Sequence, residues 1–140
     1  MRRAPLLLLL ALAGCTDTAG PPATRDAHQP QFGGVLVELG DHEANLEIVH
    51  EPEEGSLSVY VLDAHAEGTV RIAAQSLVAV VDGRKIDLFA VGSPLTGETP
   101  GNTSLFQGWD DALRAPALRG RIERVDVKGK SFTEIAFEIR

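Results

Sequence analysis

Four histidines, His28, His42, His50 and His65, are the residues of this sequence best suited to chemistry. Imidazole nitrogens beside carboxylates suit zinc or copper, and His42 and His50 lie in a run from Asp41 to Glu54 with six acidic residues and no lysine or arginine. Spacing limits what they can do together. On an extended strand His42 and His50 share a face but stand about 26 Å apart, at ~3.3 Å per residue, too far for one ion to bridge. A coordination shell would have to join His42 to Asp41 or Glu43 and to a ligand from the preceding segment, where His28 lies, or join His65 to Asp63. The plainer reading is a set of surface histidines at loops and strand ends, because no dense histidine tract is present. The expectation is therefore no resident cofactor, with copper or zinc as the alternative.

Other chemical motifs are weaker. No serine sits in a Gly-x-Ser-x-Gly elbow. Gly129-Lys130-Ser131 has Arg124 where a phosphate-binding loop needs glycine, and strand patterns flank it on both sides. Gly33-Gly34 lacks the further glycines of a dinucleotide fingerprint, and Asn102-Thr103-Ser104 matches a glycosylation acceptor. No catalytic residue is assigned; a hydrolase, built from dispersed Ser, His and Asp residues, is the remaining enzymatic alternative. The formal net charge of −7 argues against nucleic acid as a partner, since binding to phosphate depends on basic groups.

The N-terminus indicates a location. Arg2 and Arg3 precede a leucine-rich run from Ala4 to about Ala13, which ends in Leu12-Ala13-Gly14-Cys15. About 10 apolar residues are too few to cross a bilayer, which takes roughly 20. The pattern resembles the lipobox of bacterial lipoproteins. That resemblance implies a signal peptide over residues 1–14, cleavage before Cys15, acylation of Cys15, and a protein of the cell envelope anchored to a bacterial membrane, with its domain facing the periplasm or the exterior. Cys15 is the only cysteine, so once it is acylated no thiol remains for a disulfide or a thiolate metal site. Residues 15–31, rich in Pro, Gly and Thr up to Arg25, read as the lipidated cysteine and a tether of roughly 20 Å root-mean-square span.

Residues 32–140 must supply the fold that positions any site. Short apolar runs with period two, separated by Gly, Pro, Asp and Asn, predict strands at Val35–Leu39, around Leu46 and Ile48, over Leu57–Val61 and at Val70–Ala73. Leu77–Val81 and Ile86–Val91 flank Asp82-Gly83, the signature of a type I′ hairpin turn. Around Lys128-Gly129 the apolar parity slips once in each arm. A two-residue loop pairs Val125 with Phe132 and Ile122 with Ile135, placing the two pairs on opposite faces of the ribbon. Trp109–Arg114 predicts one helical turn, stopped by Pro116. Together these predict an all-β antiparallel sandwich, immunoglobulin-like or cupredoxin-like, with seven to nine strands.

The stretch from Phe32 to Ile72 resembles small, largely uncharacterised exported bacterial proteins with a His-Gly-Gly start, an Asp-His pair and a Tyr-Val-Leu-Asp strand end. Some of those relatives are histidine-rich, which implies a metal role, and Phe32 stands here where they carry a histidine. The functional expectation is a non-catalytic envelope module, binding or structural, held to the membrane through Cys15 with an envelope protein as partner. Periplasmic copper or zinc binding is the alternative.

Overall fold

The structure is a computed structural model that describes residues 28–140. The lipobox, Cys15 and the tether as far as residue 27 lie outside them. Eight strands follow one another: β1 (Val35–Leu39), β2 (Ala44–Glu51), β3 (Ser56–Leu62), β4 (Ser76–Val81), β5 (Arg84–Val91), β6 (Leu105–Trp109), β7 (Leu118–Val127) and β8 (Lys130–Ile139). The one helical element among the described residues is a 3-10 turn, Asp111–Arg114. Asp110 caps it by accepting the Ala112 N–H at 2.8 Å, and Pro116 follows, as the sequence predicts.

All strand pairs are antiparallel, in the spatial order β1-β2-β3-β6-β5-β4-β7-β8. The fold is thus all-β with a strand number in the expected range. The two layers of a sandwich are here parts of one continuous sheet, curled until β1 lies beside β8. Inward residues of every strand meet in a single core, including Ile48, Val59, Leu88, Phe106 and Ile122, all sealed from solvent. Fully burying such a side chain contributes about 1.5–3 kcal/mol.

Asp82 and Gly83 both have positive φ and join β4 to β5, and Lys128-Gly129 does the same for β7 and β8, as type I′ geometry requires. The β7–β8 register pairs Val125 with Phe132 and Ile122 with Ile135, as derived from the parity slip, but the two pairs face the same core and not opposite faces of the ribbon. Between those pairs the ladder is interrupted opposite Glu134, whose φ is 52°. The break lets Ile122 and Val125, three residues apart on one strand, both reach the core.

Two elements differ from expectation. Val70–Ala73 forms no strand: Leu62 bridges Thr69 and Ile72 bridges Thr103, so the segment touches different neighbours in turn and completes a ladder with neither. The unanticipated β6 fills the centre of the sheet between β3 and β5. The polar loop that leads into it is closed by Glu98, whose carboxylate accepts from Ser104 Oγ (2.5 Å), Ser104 N (3.0 Å) and Thr96 Oγ1 (2.6 Å). These bonds, led by Ser104, hold the Glu98 carboxyl below its ordinary range.

Candidate metal centre

The antiparallel register decides which loops meet. Asn45 pairs with Leu62, so the β1–β2 turn (residues 40–43) and the loop after β3 (residues 63–68) emerge side by side at one end of the sheet. The first carries His42 and the second His65. The third arm comes from before β1. Residues 31–34 fold back over the outer face of β2 and β3, and His28 reaches the same end. Gly34 makes the close crossing possible, since a Cβ there would sit 2.4 Å from the Ile48 carbonyl oxygen.

His28, His42 and His65 converge: one ring nitrogen from each lies within 4.8 Å of the others. The His28 and His42 rings stack with centroids 5.1 Å apart, and His65 meets them edge-on at 5.8 and 5.3 Å. Nitrogens bound tetrahedrally to zinc at ~2.0–2.1 Å stand about 3.3 Å apart, so the three imidazoles would have to draw somewhat closer to share one ion, and a fourth position would stay open. His42 and His65 are exposed and His28 is half-buried, which keeps the centre open to solvent. Glu38 Oε1 lies 3.7 Å from His42 Nδ1, too long for a hydrogen bond but near enough to favour a cation.

Local backbone choices hold each histidine in place. In the β1–β2 turn Gly40 and His42 both have positive φ, and a Cβ on Gly40 would meet the Phe132 ring at 2.8 Å. In the His65 loop Ala66 has φ 56° and is buried. Asp63 Oδ1 accepts the N–H groups of Glu67 (3.0 Å) and His65 (3.1 Å), and these bonds, Glu67 first, lower the Asp63 carboxyl below its ordinary range. Among the described residues five non-glycines have positive φ. Asp82, Lys128 and His42 serve hairpin turns, Glu134 the ladder break and Ala66 the loop after β3; of these, His42 and Ala66 border this centre. Backbone strain of this kind gathers at functional sites.

The fourth histidine goes elsewhere. His50 Nε2 is 2.6 Å from the Leu113 carbonyl and donates to it, tying the 3-10 turn to β2. His42 lies in the turn before β2 and not on the strand that the spacing predicts it to share with His50, while His65 joins His42 and His28, a grouping that no sequence spacing displays. The carboxylates expected as partners are not in the cluster: Glu43 pairs with Lys130 and Asp63 is occupied by its own loop. Phe32 stacks flat on Tyr60, with ring centroids 3.8 Å apart. Burial, then the neighbouring Glu47 charge, raises the Tyr60 hydroxyl above its ordinary value. Ser104 and Ser131 direct their hydroxyls to the carboxylates of Glu98 and Asp126.

Comparison with protein-family models, curated proteins and solved structures found no match, so the reading of this centre rests on its own geometry.

Proposed function

We propose that this protein is a non-catalytic metal-binding module of the bacterial envelope, lipid-anchored at Cys15, whose ligand is a single zinc or copper ion held by His28, His42 and His65. The convergence of three imidazoles from three separate segments carries the reading. Nitrogen donors suit both metals, and with Cys15 committed to lipid no thiolate competes for a softer ion. Three protein ligands and solvent exposure leave a coordination position for water or for a donor from an envelope partner. Such a site is suited to reversible loading and hand-over.

Calorimetric titration of the full chain with zinc or copper tests the site. The expected result is a one-to-one isotherm together with a melting temperature that climbs with ion concentration and falls back on chelation. At 100 times Kd the bound ion stabilises the fold by about 2.7 kcal/mol. Weak uptake without a fixed ratio sinks the reading, because scattered carboxylates attract cations without building a shell. The anchor is tested by the intact mass of membrane-extracted protein, expected to begin at an acylated Cys15. An unmodified cysteine in the mature protein removes the anchor from the proposal.

A further inference from the structure

We infer that Asn45 and Glu47 are the positioning residues of the histidine centre, fastening the His65 and His28 arms beside His42 before an ion arrives. The inference rests on the metal reading above and adds to it that the site is preformed by two buried polar side chains on one strand.

Both residues sit on β2, two positions apart, and so point to the same, outer face of the sheet. Outward polar residues on a strand are ordinarily solvated. Asn45 and Glu47 are 2 % and 0 % exposed, because the fold-back segment and the His65 loop cover them. Burying an amide and a carboxylate is unfavourable unless their hydrogen bonds are made. Each makes them to one histidine arm. Asn45 Nδ2 donates to the carbonyls of Asp63 (2.9 Å) and Ala64 (3.1 Å), the two residues immediately before His65. Glu47 accepts from the backbone N–H groups of Gln31 (2.7 Å), Phe32 (2.7 Å) and Gly34 (2.9 Å), the first of them three residues after His28. The Gln31 side chain donates to the Ala66 carbonyl and ties the two arms to each other.

Residues 31, 32 and 34 precede β1 and have no strand partner for these N–H groups. The Glu47 carboxylate stands in for that missing strand. An apolar residue at position 47 would cover the same surface and leave the three donors unmatched, so the carboxylate sets where the segment lies as well as burying it. His42 lies in the turn that leads into β2, which begins at Ala44. One strand thus fastens the other two arms beside it, and the ion need not gather His28 from a free segment. Groups that orient metal ligands typically account for about 10- to 100-fold in affinity.

Zinc affinity measured on full-length wild type, His28→Ala, Glu47→Gln and the double variant separates positioning from general support. Glu47→Gln is expected to weaken zinc about 10- to 100-fold and to weaken it no further once His28 is absent. Equal weakening with and without His28, or unchanged affinity in folded Glu47→Gln, overturns the inference. If Glu47→Gln shows no cooperative melt, Asn45→Ser takes its place. It removes the Nδ2 donor to the Asp63 and Ala64 carbonyls and is expected to lower affinity only in the presence of His65; unchanged affinity in the folded variant overturns the inference equally. A second readout needs no metal: nuclear Overhauser contacts between the His28 and His42 rings, expected in metal-free wild type and lost in Glu47→Gln. If those contacts behave as expected while wild type binds no zinc, the functional reading falls and the positioning role stands. Absence of the contacts from wild type overturns the positioning role.

Discussion

His42→Ala is expected to abolish one-to-one zinc or copper binding and the ion-dependent rise in melting temperature, while the metal-free protein melts close to wild type. His42 is exposed at the tip of the β1–β2 turn and holds no core contact, so its ring contributes little to the fold beyond the centre itself. Losing one of three nitrogens leaves a two-histidine remnant whose residual affinity is too weak for a one-to-one calorimetric isotherm, though a titration followed by NMR still reads it. His50→Ala should do the reverse. It removes the hydrogen bond to the Leu113 carbonyl, a loss of about 1 kcal/mol, and leaves the isotherm intact. Calorimetry and thermal melts on the two variants decide the matter. A stoichiometric isotherm surviving in His42→Ala, or vanishing in a folded His50→Ala, would reject the triad as the site.

Phe106→Ala is expected to cost about 3–5 kcal/mol, a large share of the roughly 5–15 kcal/mol that stabilises a domain. Phe106 is 0 % exposed, on the central strand β6 between Val59 of β3 and Ala90 of β5. Its removal opens a cavity where close-packed neighbours can collapse least. Phe89, on the adjacent strand and paired with Gln107, points outward and is 61 % exposed. Phe89→Ala should therefore shift the denaturant midpoint by no more than the equivalent of about 0.5 kcal/mol. Similar midpoints for the two variants would contradict the assignment of inner and outer faces.

Much of the sheet is legible in the sequence because local physics writes it there. Period-two runs mark β1, β2 and β3, and Asp82-Gly83 and Lys128-Gly129 announce their turns through the positive φ they adopt. β6 escapes because Gln107, Gly108 and Trp109 follow its only buried aromatic, leaving no alternation to read. Val70–Ala73 misleads in the opposite sense: it has strand-forming residues but no neighbour running alongside them.

The centre was half visible. His42 with a ligand from the preceding segment follows from spacing, whereas His65, 23 residues further on, is brought in by the Asn45–Leu62 register. Glu47 reads as one more solvated charge of an acidic run. Its burial arises because a segment with no strand pattern folds back over it, and periodicity carries no trace of such a path.

The place where β1 and β8 come alongside has a consequence for crowded chains. A sheet that ends in two free edges offers each as a template to another copy, and soluble β-proteins have to blunt them against aggregation. Here the two terminal strands flank a common cleft lined by Val37, Leu39, Phe132 and Ile135, and Lys130 beside Glu43 places a charged pair across its rim. Each edge screens the other. A sheet curled in this way turns its two edges toward one cleft, so a neighbouring copy meets less unpaired strand than a flat sheet of eight strands would offer.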